Sequence, residues 1–217
     1  MDCLDFLRIV GNSYEKKSAL VELYILSQKT GKDEQTILKQ AQSIGKDLLM
    51  IEDVGIYKNC IGLTKKAWNL LDLSDAVEGF INNIVEDLKK RGMEILSKNR
   101  IGLNDLYILL IPTIQFKKND NEYSLNFFTE GSFSEQFTYK KDFKSLNDEP
   151  LLVYFCSGKE NCIDNDDYII IKYAIDMNMN DKGTFNYKFQ ILDNSQSETI
   201  ISMESIEDFT NNLLSKI

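Results

Sequence analysis

The densest group of metal-binding side chains in the sequence is the run Asp164-Asn165-Asp166-Asp167. Carboxylate and amide oxygens are the ligands that Ca²⁺ and Mg²⁺ prefer. A calcium loop of the EF-hand type needs glutamate at its twelfth position, but counting from Asp164 this position is Ile175. A second acidic run, which starts at Asp176, has Tyr187 at that position. Both runs are therefore predicted to be polar turns beside strands, and neither a metal nor another cofactor is expected.

Histidine is absent from the whole sequence. Its absence excludes Ser-His-Asp and Cys-His nucleophiles, histidine general bases and histidine metal ligands. The 11 glycines form neither a G-x-G-x-x-G pattern nor a G-K-[ST] ending, which excludes the usual phosphate-binding loops. No acidic residue lies two positions before Lys172, where a metal-dependent nuclease would need one. We predict that the protein is not an enzyme; the alternative is a metal enzyme that uses Asp164, Asp166 and Asp167.

The overall composition is that of a globular protein, with 43% hydrophobic and 27% charged residues. No run approaches the roughly 18 to 20 apolar residues that cross a bilayer, and the start lacks the basic region of a secretory signal. The four cysteines are scattered and form no C-x-x-C pair, which favours reduced, mostly buried thiols. We therefore expect a cytoplasmic protein without membrane contact.

The net charge of −9 is unevenly distributed. Residues 1–80 carry 10 basic and 12 acidic side chains, and residues 81–107 carry 5 and 4. Residues 108–217 carry 10 and 18, so nearly all of the acidity lies in the second half. Such a surface repels a phosphate backbone. Its acidity and its many aromatic residues favour a basic protein partner instead.

The first half of the chain has helical periodicity. Residues 18–29 are predicted to form a helix, which a left-handed Gly31 terminates. Asp33 is predicted to cap a second helix, in which apolar residues recur at helical spacing: Ile37, Ala41, Ile44 and Leu48. The polar residues of this helix point away from that stripe: Glu34, Gln35, Lys39, Gln42, Ser43 and Lys46.

Two short strands are predicted next, over residues 48–52 and 56–63, joined by the turn Asp53-Val54-Gly55. Thr64 is then suited to cap a helix over residues 65–71. This order of helix, turn, helix, β-ribbon and helix resembles the winged helix-turn-helix superfamily over about residues 14–72. The likeness consists of this pattern and includes no invariant motif.

In the DNA-binding members of that superfamily, the second helix enters the major groove and the tip of the ribbon contacts a neighbouring backbone. The resemblance implies that the nucleic-acid-binding residues are Gln35, Lys39, Gln42, Ser43 and Lys46 on the helix, and Tyr57, Lys58 and Asn59 on the wing. Glutamine and serine can hydrogen-bond base edges, and lysine can bind phosphate. The helix has no arginine, however, and it carries Glu34 and Asp47. A structural or protein-binding wing domain is therefore the alternative.

A long helix is predicted over residues 74–97. Its apolar stripe consists of Val77, Phe80, Ile81, Ile84, Leu88, Ile95 and Leu96. Such a stripe must be buried, either against the second half of the same chain or in a homodimer through residues 74–97. The sequence leaves both alternatives open.

The second half is predicted to be rich in strands, over residues 123–128, 133–139, 151–156, 168–177, 185–191 and 199–203. Polar turns between them favour antiparallel hairpins, and Ser205 begins a terminal helix over residues 205–217. The predicted fold class is α+β: an N-terminal winged-helix domain (residues 1–73), a connecting helical segment (74–107) and an acidic antiparallel sheet domain with a terminal helix (108–217).

These observations predict a non-enzymatic regulatory protein that acts in transcription regulation. Its winged helix would contact double-stranded DNA, and its acidic β domain would bind a partner or ligand. The alternative is a protein–protein adaptor subunit of a larger assembly, which uses the winged helix as an interaction module.

Overall fold

The computed structural model describes residues 1–14, 20–103, 109–110, 113–128, 151–158, 168–179, 185–192 and 202–217. The chain divides into two compact units: unit 1 contains residues 1–75 and 102–106, and unit 2 contains residues 76–101 and 107–217. The protein is mixed α+β, with an N-terminal helical region and small sheet, a long helix, and a C-terminal antiparallel sheet with a terminal helix. The predicted fold class is therefore confirmed.

Unit 1 begins with three helices, a β-ribbon and the first part of a fourth helix. The bounds are α1 (Cys3–Gly11), α2 (Leu23–Thr30), α3 (Glu34–Ile44), β1 (Leu49–Val54), β2 (Tyr57–Leu63) and α4 (Lys65–Lys90), with β4 (Gly102–Leu103) later in the chain. Helix α1 was not predicted; it buries one apolar face, made of Leu4, Phe6, Leu7 and Val10. Burial of such a face stabilises a helix of this length more than its intrinsic propensity does.

Helix α2 starts later than the predicted residues 18–29, because Val21 is extended and pairs with Ile61 of β2. Gly31 ends α2 with a left-handed φ of 67°, and the Asp33 side chain accepts a hydrogen bond of 2.9 Å from the Thr36 N–H at the start of α3. Both predicted helix boundaries are confirmed. The end of α3 was predicted too late, because the helix stops at Ile44.

The ribbon strands β1 and β2 are antiparallel, and Val54 pairs with Tyr57. The turn therefore consists of Gly55 and Ile56, slightly later than the predicted Asp53-Val54-Gly55. Gly55 has a φ of 61°, which glycine adopts without strain. Tight hairpin turns favour a positive φ, and this requirement places the turn at Gly55.

Helix α4 is continuous over Lys65–Lys90 and merges the two helices predicted in this region. The Thr64 hydroxyl accepts a hydrogen bond of 3.3 Å from the Ala67 N–H, as expected of a cap. After Lys90, Gly92 adopts a φ of 81° and Met93 N–H donates to the Leu88 carbonyl, a pattern that terminates helices.

The prediction of a helix up to residue 97 is therefore wrong. The segment after Gly92 forms β3 (Glu94–Lys98), so Ile95 and Leu96 lie in a strand and not in the helical stripe. Strand β3 pairs with β6 (Ile114–Lys118), and this long-range pairing replaces the helical hydrogen bonds that the local pattern allowed. The connecting segment 74–107 is accordingly only partly helical.

The sheet of unit 2 has the strand order β11-β10-β9-β8-β7-β6-β3, and every pair of neighbouring strands is antiparallel. The remaining strands are β5 (Leu109–Leu110), β6 (Ile114–Lys118), β7 (Asn121–Phe128), β8 (Leu151–Ser157), β9 (Ile169–Met179), β10 (Phe185–Leu192) and β11 (Ser202–Met203). Strand β6 was not predicted. The strand predicted over 133–139 lies outside the described residues, whereas those corresponding to β7 to β10 are confirmed.

The apolar stripe of α4 lies in the core of unit 2. Phe80 contacts the rings of Phe127, Tyr187 and Phe189, with centroid distances of 6.3, 4.8 and 6.1 Å. The other members of the stripe on this helix, Val77, Ile81, Ile84 and Leu88, are fully buried. Burial of the stripe within its own chain is therefore the correct alternative. The apolar surface that suggested a homodimer through residues 74–97 is therefore not available for one.

The terminal helix, α5 (Ile206–Leu214), packs on the same sheet through Phe209, which stacks on Phe189 at 4.5 Å. Ser205 caps it by accepting a hydrogen bond of 3.0 Å from the Asp208 N–H, as predicted. Cys3 and Cys60 are free thiols, but Cys156 of β8 is disulfide-bonded. The expectation of reduced thiols is therefore wrong for Cys156, because linear spacing does not show which cysteines the fold brings together.

Candidate nucleic-acid interface

Helix α3 has one buried and one solvent-exposed side. Ile37, Ala41 and Ile44 are buried in unit 1. The predicted reading residues are all exposed on the other side or just beyond the helix: Gln35, Lys39, Gln42, Ser43 and Lys46. We call these five residues the reading face. The structure thus leaves them free of tertiary burial, as contact with an external molecule requires.

Lys46 does not belong to the helix itself, contrary to the prediction. Gly45 ends α3 with a φ of 90°, and its carbonyl accepts a hydrogen bond of 3.1 Å from the Leu49 N–H. The chain turns at this point toward β1. Lys46 therefore lies at the corner between α3 and the ribbon, where its charge is next to both elements.

The cations of the reading face are Lys39 and Lys46. Within the part of the chain that the structure describes, neither forms an ion pair. Lys66, by contrast, lies 4.0 Å from Asp47. At the other end of the helix, hydrogen bonds from the Thr36 hydroxyl and N–H lower the pKa of Asp33, which keeps this cap negatively charged. The face consequently offers two available positive charges, Lys39 at the middle of α3 and Lys46 just beyond its C-terminal end, while Asp33 is negatively charged at its N-terminal end.

The wing contains a β-bulge at which Asp53 faces both Lys58 and Asn59, because Glu52 pairs with Cys60 while Val54 pairs with Tyr57. Asn59 has a left-handed φ of 54°, a conformation that asparagine tolerates better than most residues. The Asp53 carboxylate lies 2.7 Å from the Lys58 ammonium and accepts a 2.9 Å hydrogen bond from the Asn59 N–H. One carboxylate thus stabilises both residues of the bulge.

This arrangement changes what the predicted wing residues can contact. The Lys58 ammonium and the Asn59 N–H hold the pKa of Asp53 below its usual value, so the carboxylate stays charged beside Lys58. The Lys58 charge is therefore neutralised within the wing. At the tip, Ile56 is 86% exposed and Tyr57 is 47% exposed. The wing presents apolar side chains where the prediction expected a phosphate contact.

A groove of about 340 Å³, which the sequence did not predict, lies between α3 and the ribbon. Its helix side consists of Ala41, Gln42, Gly45 and Lys46, and its strand side consists of residues 49–52. We call it the α3–β1 groove. It includes two members of the reading face, Gln42 and Lys46. No sequence signal indicates such a groove, because it forms only where two separately predicted elements meet.

Close packing positions the ribbon within unit 1. The Tyr14 hydroxyl accepts a hydrogen bond of 2.7 Å from the Leu63 N–H of β2. Next to it, a Cβ atom added to Gly62 would lie 2.4 Å from Cδ2 of Leu20 and 3.2 Å from the Tyr14 hydroxyl oxygen. A residue larger than glycine at this position would therefore require the end of the Leu20 side chain to move.

The remaining predictions concern metal binding and membrane contact. The acidic run 164–167 lies outside the described residues. Among the residues that are described, no three Cys, Asp or Glu side chains form a group that could hold a metal ion. None of the helices within the described ranges combines the length and the hydropathy that a membrane span requires.

Comparison with known proteins identifies no family model, no curated protein and no solved structure that matches this chain. Fold resemblance alone does not determine function, which depends on the chemistry of a specific site. The sites of this chain that could carry a function are the reading face, the wing and the α3–β1 groove.

Proposed function

We propose that this chain is a non-enzymatic regulatory protein and that unit 1 is a winged helix-turn-helix domain whose α3 contacts double-stranded DNA. The observation that carries the proposal is the exposed polar side of α3 with its available cations, Lys39 and Lys46. The element order supports it, as does the Val21–Ile61 pairing, which adds a third extended segment to the β1–β2 ribbon.

The chemistry of the reading face suits a modest DNA contact. Gln35 and Gln42 can donate to and accept from base edges, and the Ser43 hydroxyl can do the same. With two phosphate contacts, one from Lys39 and one from Lys46, the logarithm of the binding constant should fall with the logarithm of salt concentration with a slope of about −2. This shallow slope distinguishes the proposed contact from binding by a strongly basic surface.

The test is a fluorescence-anisotropy titration of labelled duplex DNA with the full chain at several salt concentrations. Wild type should bind at about 50 mM salt with this slope. Lys39→Gln combined with Lys46→Gln should weaken binding by about tenfold or more and flatten the slope toward zero. The matched control combines Lys188→Gln with Lys216→Gln, which are exposed lysines of unit 2. Failure of the folded wild type to bind, or equal loss in the control, contradicts the proposal.

A second candidate is the protein–protein adaptor, and the apolar wing tip favours it. Val54, Ile56 and Tyr57 are 45%, 86% and 47% exposed, and the ion pair with Asp53 neutralises the one lysine beside them. Exposed apolar groups that lie together commonly mark protein contacts. Interface residues of this kind also contribute more binding energy than rim charges.

Co-purification from native extract separates the two candidates. An adaptor should retain a stoichiometric protein partner in the absence of DNA. Ile56→Asp should release that partner, whereas Tyr24→Asp, a change at another exposed apolar residue of unit 1, should not. If no partner is retained, or if both variants lose it equally, the wing is not the adaptor surface.

We also propose that the acidic unit 2 binds a basic protein partner. Residues 108–217 carry 18 acidic and 10 basic side chains, so attraction to a positively charged protein is expected. Such an interaction should weaken steeply between about 50 and 500 mM salt, as screening increases. An interactor that remains bound at all these salt concentrations would contradict an electrostatic contact.

A further inference from the structure

Within the described part of the chain, the outer edge of β1 beyond Leu49 has backbone groups without a hydrogen-bond partner. Ile61 of β2 exchanges two hydrogen bonds of 2.8 Å with Val21, so its N–H and carbonyl point away from β1. Ile51 lies directly opposite Ile61 in the β1–β2 register. In an antiparallel ladder, the two residues of such a pair both direct their backbone groups outward. The N–H and carbonyl of Ile51 therefore point away from β2, toward the free edge of the ribbon.

The free edge of β1 lines the α3–β1 groove. Residues 49–52 form one side of this groove and the C-terminal end of α3 forms the other. The Leu49 N–H already donates to the Gly45 carbonyl, so the available edge starts at Ile51. A strand edge beside a helix, with a groove between them, is a geometry that accepts an added strand: main-chain hydrogen bonds provide affinity, and alternate side chains enter the groove.

We propose that the α3–β1 groove binds an extended segment of a partner protein, which adds a strand to the free edge of β1. The proposal rests on the second candidate function, protein binding by unit 1, and specifies its partner. It does not depend on the wing tip. The groove volume of about 340 Å³ lies at the lower end of the roughly 300 to 1,000 Å³ that ligand sites occupy, which suits a short segment rather than a folded surface.

The charges around the groove specify the chemistry of that segment. Met50 lines the groove and is 40% exposed, and Ala41 and Leu49 are buried beside it, so an apolar side chain of the segment should pack there. Lys46 lies on the helix side and forms no ion pair within the described part of the chain, which favours an acidic residue beside it. Glu52 is exposed further along β1 and favours a basic residue at the other end of the segment.

The experiment selects peptides from a phage-displayed random library against the full chain, then measures the binding of the most enriched peptide, labelled with fluorescein, by anisotropy. Gln42→Trp places a large side chain in the groove and should weaken binding by about tenfold or more. Gln28→Trp is the matched control, because Gln28 is an exposed glutamine on α2 that does not line the groove. The Gln28→Trp variant should bind the peptide with an affinity within about twofold of wild type.

Hydrogen exchange provides a second readout of strand addition. In the free protein the Ile51 amide should exchange faster than those of Met50 and Glu52, which face β2. Bound peptide should slow the exchange of Ile51, and N-methylation of alternate peptide amides should abolish binding.

Three results would overturn the proposal. They are the absence of any enriched peptide, a peptide whose affinity Gln42→Trp leaves unchanged, and self-association of the chain that Gln42→Trp removes, since the occupant would then be a second copy. If a native partner is released by Ile56→Asp but not by Gln42→Trp, the adaptor function stands and the groove proposal alone fails. If peptides bind the groove but no native partner is retained, the wing-tip surface fails and the groove remains.

Discussion

At the scale of single residues, Asp53 determines what the wing can do. Its carboxylate contacts both residues of the bulge, Lys58 at 2.7 Å and the Asn59 N–H at 2.9 Å. The lysine that the sequence assigned to a phosphate is therefore already paired. The exposed pair adds little stability, because solvent screens it, but it places a negative charge beside the lysine of the wing.

Tyr14 is the residue for which a stability change is most clearly predicted. Its hydroxyl accepts a hydrogen bond of 2.7 Å from the Leu63 N–H, where a backbone carbonyl of a neighbouring strand would otherwise be the acceptor. Tyr14→Phe removes that acceptor and should lower the free energy of unfolding by about 1 kcal/mol. Urea denaturation measures this, with Tyr24→Phe as the control, because Tyr24 is 50% exposed on α2. Equal stability of the two variants would show that water replaces the hydroxyl.

At the scale of elements, a cluster around Asp87 joins α4 to α5. The Asp87 carboxylate lies 2.7 Å from Nε of Arg91 and accepts a hydrogen bond from the Thr210 hydroxyl. Arg91 also hydrogen-bonds the Asn211 side chain. Lys118 of β6 donates to the carbonyls of Leu214 and Ile217, at 3.3 and 3.0 Å. The terminal helix is thus connected to both α4 and the sheet of unit 2.

The Asp87 cluster should make the stability of unit 2 depend on pH. Burial raises the pKa of Asp87, but the hydrogen bonds from Thr210 and Arg91, with the charges of Arg91 and Lys90, outweigh it, so the pKa lies below the usual 3.8. A carboxyl whose pKa is lowered by folding stabilises the protein above its unfolded pKa, and this contribution is lost as the pH falls through the folded value.

Asp87→Asn should therefore lower the free energy of unfolding by about 1 to 2 kcal/mol near neutral pH, with the difference from wild type shrinking as the pH falls below about 4. Denaturation at a series of pH values measures this. Glu86→Gln is the control on the same helix, because Glu86 is exposed in unit 2 and forms no ion pair within the described part of the chain, and it should change stability by less than about 0.5 kcal/mol. A constant difference between wild type and Asp87→Asn down to pH 2 would contradict the assigned cause.

At the scale of the whole molecule, burial of the α4 stripe argues against the expected dimer. Val77, Phe80, Ile81, Ile84 and Leu88 are all 0% exposed within one chain. Self-association through this stripe would require unit 2 to open, at the cost of its core contacts. We therefore expect sedimentation velocity at micromolar concentration to show a monomer of 25.0 kDa. A stable dimer under these conditions would show that another surface of the chain associates.

The sequence by itself determined the features that depend on a few neighbouring residues. Asp33, Gly31, Thr64 and Ser205 mark helix ends because a cap is formed by a side chain or a backbone angle within one helical turn. The alternation of residues 185–191 predicted β10 because a strand with one buried face repeats every two residues. Net charge and the lack of histidine are likewise properties of the chain before it folds.

Only the tertiary structure decided the features that require distant segments to meet. Ile95 and Leu96 fit a helical stripe equally well, and only pairing with β6 makes them part of a strand. Val21 is extended because Ile61 offers it two hydrogen bonds across the ribbon. The α3–β1 groove and the free edge at Ile51 exist only once the ribbon packs beside α3. Local patterns specify which conformations a segment can adopt, whereas burial and long-range hydrogen bonds select among them.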